Sequence, residues 1–132
     1  MTKKQTKEIM LQDFIDQFVV NPDSISTDSI GNCAYYPADR EKSPGCAIGM
    51  YLSDDVAKKL DNLVAGDITD IFEDGLDYLL PKWMVNVGEV FLEDFQALHD
   101  YSNNRTIFND IYAICEKYNL DFNSLKFPKC II

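Results

Sequence analysis

The residues best suited to metal chemistry in this sequence are three of its four cysteines and its single histidine. Cys33 and Cys46 each begin a short strand-like run. His99 shares a predicted helical face with Leu92 and Phe95, which directs its imidazole toward the core. Two thiolates, one imidazole and one further donor form a tetrahedral ligand set that zinc prefers. The predicted zinc ligands are Cys33, Cys46, His99 and Cys130.

The fourth ligand of this predicted site has more than one candidate. Cys130 is favoured because the neighbouring Ile131 and Ile132 would dock its tail against the core. A water molecule or the carboxylate of Asp39 is the alternative. Cys115 is excluded because it lies about 12 Å beyond His99 along the next predicted helix, at about 1.5 Å per residue. We predict Cys115 to be a core residue.

A second chemistry is open to the same residues. Cys46 follows the turn-forming Pro44 and Gly45, and it would be the nucleophile of a Cys–His enzyme with His99 as base. The residues after it are predicted as strand, whereas a reactive thiol needs a helix N-terminus or a nearby cation. The sequence has no glycine-rich phosphate loop and no HExxH motif. A non-enzymatic protein is therefore favoured, and an enzyme or a small-ligand pocket at Cys46 and His99 is the alternative.

The negative charge is concentrated in the middle of the chain. The net charge is −10, and residues 50–100 hold twelve acidic residues against three lysines. This balance argues against direct binding to nucleic acid or to an anionic membrane, because both need clustered basic residues. The acids are either solvated helix faces that keep the chain soluble or a surface that docks on a basic partner. The residues predicted to bind such a partner are Asp54, Asp55, Asp67, Asp70, Glu73, Asp74 and Asp77.

The length and apolar periodicity predict one mostly helical domain over residues 1–132. Helices are expected over Thr6–Val19, from a Ser53 cap, from Thr69 to Leu79, over Glu89–Tyr101 and over Thr106–Tyr118. The runs Cys33–Tyr36 and Cys46–Leu52 predict a small antiparallel β-hairpin. The apolar C-terminal tail is expected to dock on the core. The predicted fold class is therefore α+β.

The sequence also predicts a cytosolic protein. No run of about 18 apolar residues is present to span a membrane. The lysines near the N-terminus are not followed by the apolar stretch of a secretory signal. Thiols are kept reduced in the cytosol, so the cysteines are expected to be buried thiols, metal ligands or a nucleophile rather than disulfides.

Three short motifs carry a resemblance to a loose family of small phage-encoded proteins. They are Cys33-Ala34-Tyr35, Cys46-Ala47-Ile48-Gly49 and a helix that contains Leu98-His99-Asp100. The resemblance covers residues 30–120 and implies a phage origin and action inside the infected cell, but no activity. In size and charge alone, the chain is also similar to anti-CRISPR inhibitors.

These observations predict an acidic binding protein that inhibits a host defence factor in the host cytoplasm. The expected partner is a basic protein such as a CRISPR effector nuclease, and the expected effect is a block on nucleic-acid loading. The predicted zinc would be structural and would tie the hairpin to the helix that carries His99.

Overall fold

The computed structural model describes residues 2–19, 47–63, 68–101 and 106–127. About 80% of this part of the chain is helical. Three 3-10 turns and one π-helical turn supplement the α-helices. The α-helices are α1 (Lys3–Phe14), α2 (Asp54–Leu63), α3 (Ile68–Glu73), α4 (Lys82–Val87), α5 (Glu89–Tyr101) and α6 (Ile107–Tyr118). The 3-10 turns span Gly49–Tyr51, Asp77–Leu79 and Phe122–Ser124, and the π-helical turn Ile15–Val19 continues α1.

Local signals in the sequence account for several helix ends. α1 begins at a capping box. The backbone N–H of Gln5 donates to the Thr2 hydroxyl at 3.1 Å, and the backbone N–H of Thr2 donates to Gln5 Oε1 at 2.8 Å. The predicted Ser53 cap is confirmed, because its hydroxyl accepts from the Val56 amide at 3.3 Å. α6 ends at Asn119, which adopts the left-handed conformation with φ of 55°.

α5 lies at the centre of the fold and contacts α3, α4 and α6. Its residues Phe91, Leu92 and Phe95 are fully buried. The Phe95 ring packs edge-on against Phe14 of α1, with 5.8 Å between ring centroids, and stacks against Phe91 at 6.0 Å. The apolar face of α5 is therefore the surface on which the other elements assemble.

One buried polar side chain joins α5 to α3. Gln96 is only 3% exposed, and its Oε1 accepts a hydrogen bond from the Ile68 amide at 2.7 Å. Ile68 is the first residue of α3, so its amide has no partner within the helix. Gln96 thus caps α3 from another helix.

The segment 121–127 docks on the core, as the sequence predicts for the start of the tail. Its polar contacts are with α1. The backbone N–H of Asp121 donates to Glu8 Oε2 at 2.7 Å. The backbone N–H of Lys126 donates to Gln12 Oε1 at 2.8 Å, and Gln12 Nε2 donates to the Lys126 carbonyl at 3.1 Å. Its apolar attachment is to α6, where Phe122 packs edge-on against Phe108 with 5.0 Å between ring centroids.

The predicted β-hairpin is wrong, because none of the residues that the structure describes lies in a strand. The run Cys46–Leu52 was predicted as one of its strands, but residues 47–48 form a turn and Gly49–Tyr51 a 3-10 turn. The other predicted strand, Cys33–Tyr36, lies outside the described residues. A short apolar run fits a buried helical turn as well as a strand, and here Ile48 is fully buried. The fold class is therefore helical rather than α+β.

Replacing Gln96 with methionine tests the cap on α3. Gln96→Met keeps the side-chain length but removes the acceptor, so the buried Ile68 amide loses its partner. We expect the free energy of unfolding to fall by about 1–3 kcal/mol, measured by urea denaturation with circular dichroism. Asn109→Met, at an exposed position of α6, is the control and should change stability by less than about 0.5 kcal/mol. Equal stability of both variants would contradict the cap.

Candidate partner-binding surface

Acidic and aromatic side chains are exposed together in one stretch of the chain. Glu73 and Asp74 are exposed at the end of α3, Tyr78 is 71% exposed in the following 3-10 turn, and Trp83 is 40% exposed in α4. We call residues 70–83 the acidic–aromatic surface. Tryptophan and tyrosine are enriched at protein interfaces and among the residues that contribute most to binding.

The acidic–aromatic surface is held by apolar residues that alternate with its exposed ones. Ile71 and Met84 are fully buried, and Leu80 is 5% exposed. Between them the chain turns at Gly75, whose φ of 71° is unfavourable for residues with a side chain. The Leu76 amide then bonds back to the Ile71 carbonyl at 2.9 Å. The backbone of this surface is thus anchored at both ends.

Trp83 is positioned by a chain of contacts that leads into the core. Its ring packs edge-on against Tyr51, with 5.2 Å between ring centroids. The Tyr51 ring also contacts Phe95, and its hydroxyl donates to Asp13 Oδ2 at 2.7 Å. Burial, with the hydrogen bond to the Asp13 carboxylate, raises the pKa of Tyr51 far above its usual value. Tyr51 therefore stays protonated and keeps this bond.

The residues predicted to bind a partner are placed in two groups. Asp54 and Asp55 are exposed in the first turn of α2, where negative charge also stabilises the helix dipole. The second group belongs to the acidic–aromatic surface, where Glu73 and Asp74 are exposed and Asp70 and Asp77 are half-buried. Asp67, also predicted to bind a partner, lies outside the described residues.

The predicted zinc ligands fall largely outside the described residues. Cys33, Cys46 and Cys130 lie there, as does the alternative ligand Asp39. His99 lies in α5 as predicted, but the structure does not describe its side chain. Within the described ranges, no group of three or more His, Cys, Asp or Glu residues is arranged to hold a metal ion. The zinc site and the Cys–His alternative both remain predictions.

Cys115 is a core residue, as predicted. It is 2% exposed in α6. Burial, assisted by the nearby Glu8 and Asp121 carboxylates, raises the pKa of its thiol to about 11. A protonated, buried thiol is a poor nucleophile at neutral pH.

The sequence reasoning missed the two exposed aromatic residues and Tyr51. In the sequence, Trp83, Met84, Val85 and Val87 indicate only an apolar link, helical or extended. Met84 and Val87 are buried in α4. Trp83 lies four residues before Val87 and therefore at the edge of the same face, so the periodicity by itself does not predict that its ring is exposed.

No family model, no curated protein and no solved structure matches this chain. The resemblance to small phage-encoded proteins therefore rests on the sequence motifs alone. Among the described helices, none combines the length and the apolar character needed to cross a bilayer.

Elemental analysis of the purified chain tests the zinc prediction. We expect one zinc ion per chain, lost in Cys46→Ala together with part of the thermal stability. Cys115→Ala is the matched control, since it removes a thiol from the core and should leave the zinc content unchanged. Metal-free wild-type protein that is fully folded would contradict the prediction.

Two substitutions of Tyr51 test whether this residue positions the Trp83 ring. Tyr51→Phe removes only the hydroxyl, so the Asp13 carboxylate loses a donor and stability should fall by about 1.5–3 kcal/mol. Trp83 is the only tryptophan, and its fluorescence emission should be unchanged in this variant because the packed ring remains. Tyr51→Ala should shift the emission to longer wavelength. An unchanged emission in Tyr51→Ala would show that Tyr51 does not position Trp83.

Proposed function

We propose that this protein is a non-enzymatic binding protein that docks on a basic partner protein through the acidic–aromatic surface. The observation that carries the proposal is that Tyr78 and Trp83 are exposed in the same stretch of chain as the exposed carboxylates of Glu73 and Asp74. Tryptophan and tyrosine supply most of the binding energy in many interfaces. Carboxylates around them speed the encounter with a basic partner and exclude acidic ones.

Trp83 is suited to be the anchor of this interface. Its ring is held by Tyr51 and through it by Asp13, so little conformational entropy remains to be lost on binding. Its 40% exposure leaves apolar area for a partner to cover. Tyr78 is 71% exposed and adds a second ring in the same stretch of chain.

The excess negative charge supports a partner that normally holds nucleic acid. Residues 50–100 carry most of the chain's net charge of −10. Channels that bind nucleic acid are strongly basic, and they attract carboxylates as they attract phosphates. Together with the resemblance to phage-encoded proteins, this supports inhibition of a host defence factor in the host cytoplasm. A CRISPR effector nuclease whose nucleic-acid loading is blocked is the partner we propose.

Binding to a panel of CRISPR effector nucleases, measured at increasing salt, tests this function. Affinity for at least one nuclease should fall as ionic strength rises, and prior loading of nucleic acid should prevent binding. Trp83→Ala should weaken binding by about 30-fold, as expected for an anchor worth about 2 kcal/mol. Tyr112→Ala, which removes a 46% exposed ring from α6, is the matched control and should bind normally.

A pair of double variants separates local charge from total charge. Glu73→Gln/Asp74→Asn removes two carboxylates from the acidic–aromatic surface, whereas Asp16→Asn/Glu116→Gln removes two exposed carboxylates elsewhere. Only the first pair should lower the association rate markedly. Equal effects, salt-independent affinity or the absence of binding across the panel would contradict the proposal.

A further inference from the structure

The contact with Tyr51 leaves at least one face of the Trp83 indole uncovered by that ring. The planes of the two rings make an angle of 86°. In an edge-to-face contact of this kind, one ring directs its edge at the other, so Tyr51 covers at most one of the two faces of the indole. We call the face that Tyr51 does not cover the open face of Trp83. Because the residue is 40% exposed, the indole is accessible to a partner.

Two electrostatic features favour a cation on the open face of Trp83. The face of an aromatic ring carries partial negative charge, and among the aromatic side chains tryptophan attracts cations most strongly. The acidic–aromatic surface, residues 70–83, also holds four acidic residues and a single lysine, Lys82. Of these acids, Glu73 and Asp74 are exposed. Their charge raises the local concentration of cations and repels anions.

We propose that the open face of Trp83 binds an arginine side chain of the partner protein. This inference rests on the proposed function, because that function supplies a basic partner and makes Trp83 its anchor. Arginine suits the indole better than lysine does, because the guanidinium is planar, stacks on aromatic faces and is more weakly hydrated than an ammonium. Its N–H groups lie in the plane of the guanidinium, so they remain available to water or to carboxylates while the group is stacked.

Three short peptides test this contact without the partner. In each peptide glycine alternates with a second residue, which is arginine, lysine or citrulline, and binding is measured by the fluorescence anisotropy of a dye on the peptide. The arginine peptide should bind about two- to fivefold more tightly than the lysine peptide of equal charge, which is the size of a cation–π contact at an exposed site. Citrulline keeps the planar end group without the charge, and its peptide should not bind. Equal affinity of the arginine and lysine peptides, or binding of the citrulline peptide, would overturn the proposal.

Fluorination of the indole locates the arginine at Trp83. Trp83 is the only tryptophan, so growth on mono-, di- or trifluorotryptophan labels this ring alone. Each fluorine withdraws electron density from the ring face with little change in size, so affinity for the arginine peptide should fall stepwise, by about two- to fivefold in total. Trp83→Leu should abolish the preference for arginine over lysine, whereas Tyr112→Leu, which replaces a 46% exposed ring of α6, should retain it. Affinity that is independent of fluorination would overturn the assignment.

The fluorinated proteins also distinguish failure of the arginine contact from failure of the proposed function. In the nuclease assay, fluorination should weaken binding in the same order as it weakens binding of the arginine peptide. Nuclease binding that is weakened by Trp83→Ala but unchanged by fluorination would refute the arginine contact and leave the function standing. Peptide binding that falls with each fluorine, in a protein that binds no nuclease, would refute the function and leave the arginine contact standing.

Discussion

The structure depends on the burial of one aromatic face of α5. Phe91 and Phe95 are buried there, and the Phe95 ring contacts Phe14 of α1 and Tyr51 of the 3-10 turn. Tyr51 in turn packs against Trp83, the exposed ring that we propose as the binding anchor. The position of a surface residue is therefore set by core packing, since close-packed interiors transmit displacements rather than absorb them. Loss of the Phe95 ring would disturb the core and the proposed interface together.

Polar side chains on α5 complete this arrangement. Gln96 caps α3, Glu93 accepts from the Thr69 hydroxyl at 2.8 Å, and Asp94 holds Lys117 and Tyr118 of α6. Some of the acids in the middle of the chain therefore join helices rather than face a partner. The sequence alone does not distinguish among these acids. Only the tertiary contacts show which carboxylates join helices and which are exposed.

The acidic–aromatic surface combines two kinds of recognition. Its exposed rings, Tyr78 and Trp83, offer apolar area whose burial releases water, and the carboxylates of Glu73 and Asp74 in the same stretch of chain favour a basic partner. The Trp83 ring packs against Tyr51, so the core positions the ring that we propose as the anchor.

The sequence by itself determined the long helices and the burial of Cys115, because apolar periodicity and caps such as Ser53 act over a few neighbouring residues. It also located the negative charge in residues 50–100. Only the tertiary structure decided that the run before Leu52 forms a 3-10 turn, that Gln96 caps α3 and that Trp83 faces solvent. Each of these outcomes depends on residues that are distant in the sequence. The conformation of a short apolar run, the hydrogen bond of a buried amide and the exposure of a single ring are set by the residues that pack against them.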